Sequence, residues 1–197
     1  MATPTRGRPR SFDREEALDK AVRLFWTRGY EATSIGDLTA ALGIGAPSLY
    51  AAFGDKAKLF AEVVSSFAAR YGGFMPRALE EEPTATAAVR RILREAATQY
   101  TRPECPHGCL VMSAGLNTTS DEIADMLRAL RNRNIEMFTE HIRADIDDGL
   151  LPADADPKML ARYVGTVLQG MSQAARDGAS AAELTKVAEM AMRNWPT

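Results

Sequence analysis

An all-α fold is predicted by three features of the sequence. Apolar residues recur at three- and four-residue spacing through almost everything after residue 12. No convincing run alternates apolar with polar residues, and no Asn-Gly or Asp-Gly turn joins two β-rich runs. Glycine and proline punctuate the periodic segments instead of interrupting them.

The elements follow in order. Ser11 or Asp13 caps a first helix over about Asp13 to Thr27, with Ala17, Leu18, Ala21, Val22, Leu24 and Phe25 inward and Gly29 as its stop. Ser34, with Asp37 three residues on, is a capping box opening a short helix that carries Ile35, Leu38 and Leu42 and ends at Gly43. The next helix starts near Ala46, with Pro47 in its first turn, where the missing donor costs nothing. A long helix from about Asp55 runs toward Tyr71-Gly72-Gly73-Phe74-Met75-Pro76, where two glycines and a proline predict a bend or break. Thr84 to about Thr101 is helical. Glu104-Cys105-Pro106-His107-Gly108-Cys109 is a loop leading into the apolar turn Leu110-Val111-Met112. Ser120 caps a helix reaching Asp148 and stopped by Gly149. Pro157 opens one running to about Arg176, and the last spans about Ser180 to Asn194.

Two short helices joined by a turn bearing Gly43 and Gly45 have the layout of a helix-turn-helix DNA reader. The residues around that turn carry a fuller resemblance. RGYEATSIGDLTAALGIGAPSLYAAFGDKAKLF is similar to the N-terminal domain of the TetR/AcrR family of transcriptional regulators. It contains Arg28-Gly29-Tyr30, the Thr33-Ser34-Ile35 helix start, Leu49-Tyr50 with Phe53, and Lys56 before Leu59-Phe60. The resemblance implies a flexible basic arm (1–12), a three-helix DNA-binding domain (13–56), and a helical effector-binding and dimerisation domain (57–197). It also implies a regulator, with repression the family's prevailing mode.

Composition fits a globular chain: 197 residues, 46% hydrophobic and 25% charged. No long uncharged apolar run reads as a membrane span, and the basic N-terminus leads into acids instead of an apolar core, so a cytoplasmic location is expected. Two cysteines are too few for a secreted disulfide framework. The net charge of −2 alone argues against a nucleic-acid partner, but Arg6, Arg8 and Arg10 precede the first acid, Asp13, and phosphate attraction follows local charge.

For the reader helix, Gly45, Ala46, Pro47, Ser48, Ala51 and Ala52 face the major groove. They are poor in hydrogen-bonding groups, so methyl packing on thymine and DNA shape are expected to carry much of the selectivity. The resemblance places Tyr50 and Lys56 on phosphates. It puts Thr33 and Ser34 at a helix start whose amides and hydroxyls can hold another, beside the simpler role of Ser34 as a cap. Leu49 and Phe53 are assigned to the core. Arg6-Gly7-Arg8-Pro9-Arg10 suits a slim arm in an A·T-rich minor groove, against the default of a solvated tail.

Candidate effector-pocket residues are Phe67, Tyr71, Phe74, Met75, Tyr100, Met112, Leu116, Met126, Phe138 and Met171, most of which would serve equally as core. Cys105, His107 and Cys109 invite a metal, redox or electrophile sensor, but a fourth ligand is missing, and the simpler reading makes Cys109 a small buried residue at a helix start. The expected partners are a double-stranded DNA operator, a small-molecule effector and a second copy joined through the last two long helices, with no membrane and no cofactor. The alternatives are a thiol- or metal-responsive regulator and, from another class, a Cys/His-dependent enzyme. No catalytic residues, glycine-rich phosphate loop or general base partnered with a thiol can be picked out.

Overall fold

The computed structural model describes residues 12–196. They form ten helices: α1 (Arg14–Arg28), α2 (Ile35–Leu42), α3 (Ala46–Phe53), α4 (Lys56–Tyr71), α5 (Phe74–Glu81), α6 (Ala85–Gln99), α7 (Leu110–Ser113), α8 (Asp121–Asp147), α9 (Pro157–Arg176) and α10 (Ala181–Arg193). Among the described residues there is no strand. Arg6, Arg8 and Arg10, the expected arm, lie outside the described residues.

Local chemistry accounts for most of the boundaries. Asp13 caps α1 by accepting from the amides of Glu15 and Glu16, settling the choice between Ser11 and Asp13. Ser34 and Asp37 form the complete capping box at α2. Gly43 ends α2 at φ 69°, ψ 30°, a left-handed conformation that a Cβ would strain, and it gives the sharp entry to α3. Thr84, Ser120, Asp156 and Ser180 cap α6, α8, α9 and α10 through side-chain oxygens.

The expected break after Tyr71 occurs at Gly72 and Gly73, but a further helix follows it. Phe74–Glu81 is α5, with Pro76 in its first turn, where no intrahelical donor is required. Its inward residues Phe74, Ala78 and Leu79 pack on α6, and that tertiary contact sustains a helix only eight residues long.

α1, α2, α3 and α4 share an aromatic core in which Phe25 meets Phe60 edge-on at 5.0 Å and Tyr30 meets Phe60 at 5.0 Å. In the rest of the molecule α8 packs along α9 and α10 against α6. The carboxylate of Asp145, near the end of α8, is buried and accepts from the amide of Ala85 at 2.8 Å, tying the C-terminus of one helix to the N-terminus of another.

The two halves meet at the C-terminal end of α1. The amide of Tyr30 donates to the carbonyl of Ala114 at 2.8 Å. The guanidinium of Arg176, in the last turn of α9, donates to the carbonyls of Trp26 and Thr27 at 3.1 and 3.2 Å. Arg23 donates to the carbonyl of Glu104 at 2.7 Å, and Glu31 accepts from the hydroxyls of Thr118 and Thr119.

Candidate nucleic-acid interface and cavity

α3 is held by its inner face and offers its outer one. Leu49 and Phe53 are buried, as expected. Gly45, Pro47, Tyr50 and Ala51 are exposed, and Ala46, Ser48 and Ala52 are half-exposed. Tyr50, at 48% exposure, stands clear of the core. This outer face bears no charge, and α3 has no side-chain cap at its N-terminus; Pro47 has no N–H and the amide of Ser48 donates to the carbonyl of Gly45 at 3.0 Å, so the first turn leaves the amide of Ala46 for an acceptor.

The basic groups nearby are largely engaged. Arg28 pairs with Asp37 at 2.7 Å and Lys58 with Asp55 at 3.2 Å. The ammonium of Lys56 sits 4.2 Å from the centre of the Tyr30 ring, and burial lowers its pKa. Two of the expected contact residues are spent on structure. Thr33 is fully buried and its hydroxyl donates to the carbonyl of Gly29 at 2.7 Å, so its side chain is a latch for the α1–α2 turn and not a surface group. The amide and hydroxyl of Ser34 both donate to Asp37, whose carboxyl those bonds and Arg28 hold down at about 2. Ser34 is therefore the cap.

A cavity of about 240 Å³ lies between the end of α4, the start of α5, the end of α6, the turn into α7 and the middle of α8. Six of the ten expected liners border it: Phe67, Tyr71, Phe74, Met75, Tyr100 and Met112. The other four do not. Met171 is buried core on α9 and Met126 is packed against the core. Phe138 borders an adjoining hollow on the α9 side, and Leu116 is exposed at a separate one near Leu127. Helical periodicity shows which residues turn inward, but the gap depends on how far α8 stands off α4 and α6.

Sequence reading missed Trp26, Gln99, Arg131, Asn134 and Met137, which also line the cavity. Arg131 lies half-buried on α8, with one guanidinium nitrogen donating to the carbonyl of Val111 at 3.0 Å, and burial lowers its pKa. With Arg128, Arg133 and Arg143 on the same helix, no sequence signal singles it out. Trp26 belongs to α1, and nothing in the sequence placed that helix beside a pocket. Burial raises the phenol pKa of Tyr100 well above its ordinary value.

Cys105, His107 and Cys109 do not converge. Cys105 is buried, and burial with that thiol nearby raises the phenol pKa of Tyr71. His107 is exposed, with Nδ1 3.2 Å from the carbonyl of Ala175. Cys109 begins α7, its amide donates to the hydroxyl of Ser172 at 2.9 Å, and burial pushes its thiol pKa up, away from an activated thiolate. Gly108, at φ 80°, makes that approach possible, since a Cβ there would sit 2.7 Å from the carbonyl of Ser172. Among the described residues no group of three or more His, Cys, Asp or Glu side chains is placed to hold a metal. The metal-sensor and Cys/His-enzyme alternatives thus lose the cluster they rested on.

Comparison with known proteins gives the same assignment. Residues 17–63 match the family described as bacterial regulatory proteins, tetR family, and residues 85–191 match the tetracyclin repressor-like C-terminal domain. The chain is 37% identical to the transcriptional repressor ComR of Escherichia coli K12 over 198 residues, covering 98% of this chain and 93% of ComR. It is 30% identical to the repressor BdcR of the same organism, covering 94% and 90%. Among solved structures, a cysteine mutant of the TetR family regulator CifR, complexed with 26-base-pair double-strand operator DNA, is 43% identical and superposes with a TM-score of 0.91, covering 96% of this chain and all of that one. None of the described helices is long and apolar enough to cross a membrane. With both halves matched and an uncharged reader helix presented at its surface, the chain belongs to the TetR family of helix-turn-helix transcriptional regulators.

Proposed function

We propose that this regulator is a repressor that binds a near-palindromic operator as a homodimer and releases it when a small molecule occupies the cavity. The observation that carries this reading is the whole-chain likeness to operator-bound CifR at 43% identity. On it, α3 enters the major groove, where Ala46, Pro47, Ala51 and Ala52 pack on thymine methyls and Ser48 supplies the hydroxyl. Tyr50, Lys56 and the amide of Ala46 at the start of α3 take phosphates. Arg6, Arg8 and Arg10 serve the adjacent minor groove. Such a regulator works beside the chromosome, in the cytoplasm.

Dimerisation through α9 and α10 is supported by their exposed apolar side chains: Met159 on α9 is 64% exposed, and Val187 and Met190 on α10 are 43% and 61% exposed. A two-fold pair of reader helices requires half-sites about one DNA turn apart, roughly 34 Å. The cavity is smaller than the roughly 300–1,000 Å³ of drug-sized pockets, which fits a compact, mainly apolar effector. Phe67 and Tyr71 of α4 and Trp26 of α1 belong to helices that also pack on the reader. A ligand preferring another setting of those helices weakens DNA binding by the ratio of its two affinities.

Selection of bound duplexes from random DNA by the purified full-length chain tests the reading. A two-fold symmetric consensus, occupied by two chains and lost steeply with added salt, is the expected result. Failure to enrich any sequence over scrambled competitor overturns it.

A further inference from the structure

Three hollows meet at one side chain. The cavity of about 240 Å³ adjoins a second hollow of about 230 Å³ among α5, α8 and α9 and a third of about 220 Å³ between α7 and α8, and Arg131 borders all three. None of the residues bordering them is an Asp or a Glu, whereas Arg128 and Arg162 border the second beside Arg131. Among the described residues no carboxylate pairs with Arg131, and its charged neighbour is another cation, Arg128, which is already occupied by Asp125. The thiol of Cys109, its pKa raised by burial, supplies no negative charge either. A half-buried cation with no counter-charge gives up hydration for nothing in return.

The guanidinium is anchored by one corner only. Its Nη1 donates to the carbonyl of Val111 at 3.0 Å, and Val111 itself borders the cavity. Nε and Nη2 find no acceptor among the described residues, and neither is sealed off from the surrounding space. These two N–H groups lie side by side in the guanidinium plane, the parallel pair that a carboxylate accepts through both of its oxygens. Met75, Met112, Arg131 and Asn134 are common to the cavity and the second hollow, so a charged group on Arg131 sits where the two join.

We propose that the cavity takes a compact apolar carboxylic acid in its ionised form, and that the Nε–Nη2 edge of Arg131 grips the carboxylate. This rests on the effector reading above and adds the ligand's charge and the residue that recognises it. The apolar body meets Phe67, Phe74, Met75 and Met112. Val111 belongs to α7, and the carbonyl just past that helix, that of Ala114, accepts from the amide of Tyr30 in the DNA-binding half at 2.8 Å. A carboxylate that draws the guanidinium away from Val111 therefore acts one helical turn from the junction of the two halves.

The test uses the full-length chain at neutral pH and two probes of nearly the same shape, benzoate and benzamide, one anionic and one neutral. Calorimetric titration is expected to show benzoate binding about tenfold tighter. Arg131→Gln should narrow the gap to under about threefold and leave benzamide binding unchanged, while Arg131→Lys, which keeps the charge without the fork, should fall between. In ¹⁵N-arginine-labelled protein the Nε–H resonance of Arg131, assigned with Arg131→Lys, should move with benzoate and not with benzamide. Inorganic phosphate at the same concentration should not displace benzoate; displacement would show a bare anion site and overturn the proposal. Equal affinities for the two probes, or a gap that survives Arg131→Gln, overturn it while leaving the effector cavity standing. Should neither probe bind at millimolar concentration, the cavity reading falls and this one with it. The lysine variant and the wild-type resonance decide the matter if Arg131→Gln folds poorly.

Discussion

The reader unit and the cavity are put together by different means. In the reader, the decisive contacts join near neighbours: Ser34 with Asp37, the amide of Gly43 with the carbonyl of Thr39, and Leu38 and Leu42 packed beside Leu49 and Phe53. The cavity draws walls from Trp26 through Met137 and is braced by bonds across long stretches of chain, 150 residues from Trp26 to Arg176 and 63 from Cys109 to Ser172. A locally specified unit keeps its form while its position is adjusted. A space defined by distant walls changes when any wall moves. α1 belongs to both, which makes it the natural carrier of coupling between them.

The comparison can be broken most sharply at α3. Ala51→Glu places a carboxylate on the exposed face and should cut operator affinity at least a hundredfold, about 2.7 kcal/mol, with no change in melting temperature. Fluorescence anisotropy with the selected operator, alongside a melt, checks this; undiminished binding would remove α3 from the interface.

Gly108→Ala tests the opposite half. It forces a Cβ into a left-handed backbone 2.7 Å from the Ser172 carbonyl, so a loss of about 2 kcal/mol is expected in urea unfolding. An unchanged midpoint would show that the loop does not brace the cavity.

Ser34→Ala removes one cap from the locally built half and should cost about 1 kcal/mol, with ligand affinity untouched. Chemical denaturation and titration of the same sample separate the two effects, and a change in ligand binding would contradict the independence argued here.

Acid gives the smallest effect. The carboxyl of Asp37 is held from 3.8 down to about 2 by Ser34 and Arg28. Its ionised form therefore stabilises the fold above pH 3.8, and this contribution fades as pH falls through about 2. Asp37→Asn should flatten that part of the stability profile, and an unaltered acid limb would assign the loss to other carboxylates.

Much of this molecule was legible in its sequence. Ser34 with Asp37, Gly43, and Pro47 behind Ala46 located α2 and α3 because caps and turn glycines act over three or four residues, and the resemblance around Tyr50 and Phe53 named the family. Phe67, Tyr71, Phe74 and Met75 were readable as pocket candidates because they are apolar or aromatic residues of the middle helices. α5 was missed because its stability comes from packing on α6, not from its own eight residues. Trp26 was missed because the reading of α1 stopped at Phe25 and could not see which helix lies beyond it. Thr33 read as a surface hydroxyl, yet folding turns it inward onto Gly29.

By itself the sequence determined the all-α class, most of the helix ends and the reader motif, since hydrophobic period, capping and glycine backbone freedom are properties of short segments. Only the tertiary structure decided that α4, α6 and α8 leave a cavity between them, that Arg176 clasps the end of α1, and that Trp26 is buried with its indole N–H unpaired. Those features depend on distances between side chains far apart along the chain, which close packing fixes all at once and no local pattern encodes.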